Sequence, residues 1–437
     1  MANKISTELL ITILNNVQST QDLFSSLLVN RIWCKVTIPI LWELPLGQEY
    51  RIETDIDYEK LKKKALCIRT YISLHRRFYM SCFNFNDSIG SILKLPGASK
   101  VFKELESFTS IIIKRDKPLY ESLALICNNI LNMELFFHCI PRMEPLTKLL
   151  SVQKRLENLS ITDNNLVKQL DINSIFWAII SLKETLKSLR LISVNFYSFK
   201  RELSPIGQFT SLQKLYVENG NGFLESECLF LASSFTQLNS FHYTHSVYVK
   251  DTYPQEFIIQ ILETANTNLK NICLELNSTI TFDIFSAILN YCTRITELTL
   301  YNLSPEQIMA IFNNNFNELR SFSFDCGRGF DSNELLCQMA ENVPESLETI
   351  EIRMDCEYSW IFGAESLRKF FEGWGCCKGG GNKKFRRLCI RLIRSPLFRR
   401  PSKRFLPLTL KTMGDEHFKV IEEYGIQFDM TEYSKFY

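Results

Sequence analysis

From Ile130 onward the apolar positions recur as L-x-x-L-x-L, with Ile, Phe, Val, Met or Tyr admitted at the apolar places. The occurrences are ILNMEL from Ile130, LENLSI from Leu156, LKSLRL from Leu186, LQKLYV from Leu212, LNSFHY from Leu238, LKNICL from Leu269, ITELTL from Ile295, LRSFSF from Leu319, LETIEI from Leu347 and, degenerately, FRRLCI from Phe385. Successive starts differ by 26, 30, 26, 26, 31, 26, 24, 28 and 38 residues. The last apolar pair of each motif alternates with polar residues, which is the period of a strand with one buried face. Between motifs the period changes to that of a helix. Ser304-Pro305-Glu306-Gln307 reads as N-cap, N1 proline and N3 glutamine ahead of Ile308, Ile311 and Phe312 on one face. Ile175 to Leu182, Glu227 to Phe235, Phe257 to Ala265, Ile284 to Tyr291 and Glu334 to Asn342 fill equivalent slots. Some nine or ten strand-helix units in tandem predict an α/β solenoid with a parallel sheet along one face. Asn164, Asn219, Asn302 and Cys326 follow the strands at a variable offset, so the repeats are irregular.

Ahead of the repeats the spacing is helical. Leu9, Leu10, Ile13, Leu14 and Val17 form one stripe, with Ser6 or Thr7 as N-cap. Ser19 to Asp22 is a capping signal for a second helix carrying Leu23, Phe24, Leu27 and Leu28, and Pro39 opens a third short segment with Ile40, Leu41 and Trp42. Units below roughly 40 residues bury too little surface to stand alone. This one nevertheless carries Trp33, Trp42 and many large aliphatic residues. The surplus predicts a docking face, either for the rest of this chain or for a partner, and composition alone leans to the chain itself.

The elements Leu27-Leu28-Val29-Asn30-Arg31-x-Trp33 and Ile38-Pro39-Ile40-Leu41-Trp42 resemble the F-box, a three-helix motif sketched as L-P-x-x-[IL]-L…L…V-[CNS]-[RK]-x-W…P-x-L-W. Ile5-Ser6 stands where that family opens with Leu-Pro. The strand pattern resembles the leucine-rich repeat, and the two together resemble the fungal-type F-box proteins with C-terminal leucine-rich repeats. The resemblance implies residues 1–46 as F-box, 47–125 as helical linker and atypical first repeats, 126–405 as a horseshoe-shaped solenoid and 406–437 as a C-terminal cap. Within the linker, Tyr58 to Met80 reads as a long helix with Lys62, Lys63 and Lys64 on its outer face. F-boxes bind a Skp-type adaptor and, through it, a cullin. The likeness therefore implies a substrate-recognition subunit of an SCF-type ubiquitin ligase. Leu10, Ile13, Leu14, Leu27, Val29, Trp33, Pro39 and Trp42 then face the adaptor or form the motif's core. The alternative is a non-catalytic repeat scaffold whose N-terminal helices merely cap the solenoid, as terminal repeats require.

Composition narrows the partners without naming one. The 437 residues are 46% hydrophobic and 22% charged with a net charge of +2, which gives no global attraction to nucleic acid or membrane. Fourteen cysteines at irregular spacings, without a CxxC pair, fit neither a disulfide framework nor a zinc site. The N-terminus interrupts its apolar residues with Ser6, Thr7, Glu8 and Thr12, unlike a signal peptide, and no run of 18 apolar residues occurs. The expectation is a cytoplasmic or nuclear protein. No cofactor and no intrinsic catalysis are expected. Gly379-Gly380-Gly381 lacks the G-K-[ST] of a phosphate loop, His242 and His245 have no third metal ligand nearby, and no G-x-S-x-G stands out.

A protein substrate would meet the polar places between the apolar ones, which alternation turns outward on the concave sheet. Arg190, Lys214, Tyr216, His242, Glu297, Glu351, Arg387 and Arg391 are the candidates for that face. No acidic residue lies between Glu372 and Asp415, where Lys378, Lys383, Lys384, Arg386, Arg387, Arg391, Arg394, Arg399, Arg400, Lys403 and Arg404 fall. Three readings stand for that run: a solvated basic loop, a clamp for an acidic or phosphorylated segment, or an import signal.

Overall fold

A computed structural model describes residues 6–17, 20–26, 29–30, 32–33, 36–37, 77–80, 98–112, 117–139, 143–164, 172–194, 196, 206–220, 234–245, 254–276, 279–314, 316–326, 331–355, 363–375, 387–393, 415–424 and 427–433. The chain divides into two units, Met1–Lys187 and Ser188–Tyr437.

The first unit opens with helices α1 (Thr7–Asn15) and α2 (Thr20–Ser26). The Ser6 side chain caps α1 by accepting from the Leu9 amide at 3.2 Å. Among the described residues four parallel strands follow: β1 (Arg77–Met80), β2 (Ser107–Ile112), β3 (Asn132–Phe137) and β4 (Asn158–Asp163). Helices α3 (Ala98–Lys103), α4 (Lys117–Ile126), α5 (Met143–Ser151) and α6 (Ile172–Ala178) alternate with them.

Among the described residues the second unit holds nine parallel strands in sequence order: β5 (Ser188–Ile192), β6 (Lys214–Glu218), β7 (Ser240–Thr244), β8 (Asn271–Glu275), β9 (Glu297–Leu303), β10 (Ser321–Cys326), β11 (Thr349–Asp355), β12 (Arg387–Ile393) and β13 (Gln427–Tyr433). Its described helices are α7 (Gln255–Ala265), α8 (Phe282–Tyr291), α9 (Pro305–Asn313), α10 (Ser332–Glu341), α11 (Ala364–Gly373) and α12 (Asp415–Glu423). Both units are strand-helix repeat solenoids.

The apolar pattern sets the register. From Ile130 to Leu388, the described residues at the three motif places are at most 2% exposed. Helix residues such as Ile258, Ile284, Ile308 and Leu336 pack behind them. Each fully buried aliphatic contributes on the order of 2 kcal/mol, and only a neighbouring repeat can cover it. Backbone bonds repeat at the same period, as in Asn239 N–H to Gln213 O (2.8 Å), Lys270 N–H to Asn239 O (2.9 Å) and Thr296 N–H to Lys270 O (2.8 Å). Asn219 and Asn302 sit at φ of 53° and 56°. Asparagine is enriched in that left-handed region, which accounts for its place after the strand better than a fixed offset does.

The capping box read from Ser304-Pro305-Glu306-Gln307 is present. The Gln307 amide donates to Ser304 Oγ (3.3 Å), and the Ser304 amide donates to Gln307 Oε1 (2.9 Å). Ser304→Ala is expected to cost about 1 kcal/mol, measured by urea unfolding, because it leaves one N-terminal amide of α9 without an acceptor.

Several boundaries differ from the sequence reading. Arg77–Met80 is strand β1, so the long helix expected over Tyr58 to Met80 does not include these four residues; residues 58–76 lie outside the described part. Strands β1 and β2 fall within residues 47–125, where atypical first repeats are expected, whereas α12 and β13 continue the repeat past residue 405, with β13 pairing β12 in parallel from Arg387–Gln427 to Ile393–Tyr433. The C-terminal segment is thus another turn of the solenoid. Tyr424, just after α12, packs on Phe371 at 5.8 Å and donates its hydroxyl to Glu372 at 2.7 Å, and desolvation by burial, with this bond second, raises the phenol's pKa. Most of the helix expected over Glu227 to Phe235 and the third N-terminal segment near Pro39 lie outside the described residues.

Candidate interaction surfaces

Two surfaces are candidates for interaction, and the first is the N-terminal pair of helices. Leu10, Leu14, Leu23 and Val36 close a small core of their own, with Val17 and Trp33 packed partly against it. On α1 the positions beside those two leucines turn outward: Leu9 is 53% exposed, Ile11 41% and Ile13 41%. Beyond α2, Val29 is 58% and Ile32 55% exposed. Between them Asn30 accepts the amides of Ile32 (2.8 Å) and Trp33 (3.0 Å) through its Oδ1, which starts the next helical turn. That is the physical reason for an asparagine in the V-N-R-x-W element.

The sequence alone left core and docking roles undivided. Leu10 and Leu14 belong to the core and Trp33 lies at its edge, whereas Ile13 and Val29 are outside it. Leu27, Pro39 and Trp42 lie outside the described residues. Of nine large apolar side chains exposed among the described residues, five fall within Leu9–Ile32; the other four, Leu125, Trp177, Phe282 and Tyr291, are spread over the rest of the chain. Single exposed apolar residues are ordinary, but a dense group marks an interaction face.

The second surface is the outward face of the second unit's sheet. Pairing aligns Arg190, Tyr216, His242, Cys273, Thr299, Ser323, Glu351, Cys389 and Asp429 in one row across nine strands. Lys214, Glu297 and Arg387 stand in the row beside it, which begins at Ser188 and ends at Gln427. At roughly 4.8 Å per strand the row extends about 38 Å. Such a length suits an extended polypeptide.

Contacts along the rows are specific. Arg190 reaches Glu218 at 2.5 Å and lies 5.9 Å from the Tyr216 ring centre. Tyr216 meets His242 at 5.8 Å, and His242 Nε2 pairs with Thr244 Oγ1 at 2.8 Å. Glu351 accepts from Arg353 Nε at 2.5 Å while the Arg353 guanidinium sits 4.5 Å from the Tyr301 ring centre. Arg391 occupies the β12 register position opposite Arg353. The rest of the basic run between Lys378 and Arg404, apart from Arg387, lies outside the described residues.

Two features escaped the sequence reading. Strands of five to seven residues add a further outward place beyond the motif, which brings in Glu218, Thr244, Glu275, Asp325 and Arg353. Several outward positions are also buried rather than open: Ser240 at 8%, Ser323 at 5%, Glu351 at 9% and Cys389 at 6% exposed. The first two are short side chains flanked by longer ones, and Glu351 is drawn down by Arg353.

Among the described residues no group of three or more His, Cys, Asp or Glu is arranged to hold a metal ion, and no helix is long and apolar enough to cross a membrane. Cys127 and Cys292 are buried, and burial pushes both thiols up to about 12, far from the range of a reactive thiolate.

No family model matches the chain, and no curated protein does. Among solved structures, it is similar to an internalin (inlF) from Listeria monocytogenes str. 4b F2365, at 14% identity over 78% of each chain with a TM-score of 0.35.

Proposed function

We propose that the chain is the substrate-recognition subunit of an SCF-type ubiquitin ligase. The N-terminal helices dock a Skp-type adaptor, which brings a cullin, and the outward sheet face holds the protein substrate. The observation that supports this reading is the division of the N-terminal stripe. Helices with a core of their own still turn Leu9, Ile11, Ile13, Val29 and Ile32 to solvent, in the very segment that resembles an F-box. Had these helices only capped the repeats, their apolar side chains would be expected to lie against the solenoid. The chain then contributes no covalent chemistry. It raises the effective concentration of a substrate lysine near a conjugating enzyme held by other subunits.

The test is recovery of the whole assembly. A tagged chain expressed in cells is expected to bring down both the Skp-type adaptor and a cullin, with the cullin lost when the adaptor is depleted. Recovery of neither, from a folded chain, leaves the plain repeat scaffold as the function.

A further inference from the structure

We infer that the sheet face over β8–β11 is built to seat a lysine- or arginine-bearing extended segment of the bound protein. This rests on the reading of that face as the substrate surface. Among the described side chains at the outward places of these four strands are four carboxylates, Glu275, Glu297, Asp325 and Glu351, and one guanidinium, Arg353, which is paired with Glu351 and leaves a surplus of three acidic groups. The chain as a whole carries +2, so the sign is reversed locally and general attraction to a cation is excluded as the cause.

A second observation at the same place is independent of charge. Ser323 stands in the central row between Thr299 and Glu351, is 5% exposed, and its Oγ has no hydrogen-bond partner. A buried hydroxyl without a partner costs roughly 1–3 kcal/mol, so a fold that keeps one there holds an acceptor in reserve. Beside it the strands are irregular. The β9–β10 register shifts between Phe324 and Cys326, Asn302 takes a left-handed conformation, and Asp325 accepts the Asn302 amide. Bulges of this kind re-aim side chains next to binding sites. Thr299 and the covered Ser323 thus stand side by side in a row that continues to Glu351, with Glu297 and Asp325 on the same strands. An ammonium or guanidinium that displaces the covering side chains brings the donors and the charge that this place lacks, whereas a phosphate or carboxylate would meet like charge.

The probe is a fluorescein-labelled eight-residue peptide of alternating arginine and serine, with an alternating glutamate-serine peptide as its counterpart, added to the full-length chain without adaptor. Anisotropy is expected to show binding of the basic peptide only. Glu297→Lys with Asp325→Asn is expected to weaken it at least tenfold. Glu297→Lys alone, at an exposed position, is expected to give several-fold weakening with folding intact. Ser323→Ala is expected to weaken binding about threefold while raising the melting temperature, because it removes the orphan hydroxyl. Equal binding of both peptides, or basic-peptide binding unchanged in the Glu297→Lys variants, overturns the inference. Adaptor recovery is measured separately, so failure here with intact adaptor binding refutes the basic-segment specificity and leaves the ligase reading standing.

Discussion

Changing Ile13 and Val29 together to aspartate is expected to abolish adaptor binding, by a factor on the order of 100 or more, while leaving the melting temperature within about 2 °C of the wild type. Both side chains are more than 40% exposed and neither belongs to the core of Leu10, Leu14, Leu23 and Val36, so the fold loses little. Burial of a Val or Ile side chain contributes roughly 1.5–3 kcal/mol, and a factor of ten in affinity corresponds to about 1.4 kcal/mol. Two such losses, with carboxylates then forced into an apolar contact, exceed a hundredfold. Leu14→Asp is the control with the opposite signature. At 1% exposure it breaks the small core, so loss of binding comes with loss of helical signal from this segment. Equal adaptor recovery by the double variant and the wild type would show that the exposed stripe is not the docking face.

The second large effect lies in the other unit and concerns stability alone. Trp374, 1% exposed, packs on Phe370 at 5.4 Å and donates its indole N–H to the Leu347 carbonyl at 2.9 Å, tying the turn after α11 to the strand entry of β11. Trp374→Ala is expected to cost about 3–5 kcal/mol, from the cavity and from the carbonyl left without its donor. For a unit of this size that is a fall of about 10 °C in melting temperature. Gly373 makes the same junction tight in another way. A Cβ there would overlap the Ala340 carbonyl at the end of α10, so Gly373→Ala must push α10 and α11 apart. In a solenoid each repeat is held by its neighbours, so hydrogen exchange should quicken first in β11, β12 and the helices packed on them. A shift below about 2 °C in Trp374→Ala would refute the assigned role of the indole.

How much of this was legible in the sequence depended on what filled the motif's apolar places. Strands from β3 to β11 were plain because leucine, isoleucine, valine, methionine or an aromatic residue occupies all three. At β2 the third place is Ser110, fully buried and bonded to the Tyr120 hydroxyl at 2.9 Å, and a serine there does not read as core. At β13 the first place is Gly425, and at β1 it is His75, so both strands fell outside the pattern although pairing puts Phe428 and Phe78 in line with the core residues of their neighbours. Tertiary pairing completed repeats that local pattern left incomplete. The exposed and core positions of the N-terminal helices could not be separated by spacing alone, since Leu10, Ile13 and Leu14 all fit one helical stripe and only packing distinguishes them. On the sheet face, alternation placed Arg190, Tyr216, His242 and Glu351 outward, but nothing local revealed that at β10 and β11 the row would sink around Ser323.

The central claim, that the N-terminal helices are a docking module for a Skp-type adaptor, is tested most directly by titrating the purified full-length chain with purified adaptor in a calorimeter. A single 1:1 transition with a negative heat-capacity change, the mark of apolar burial, is the predicted result. No heat and no complex on gel filtration, from a chain that melts cooperatively, would contradict it.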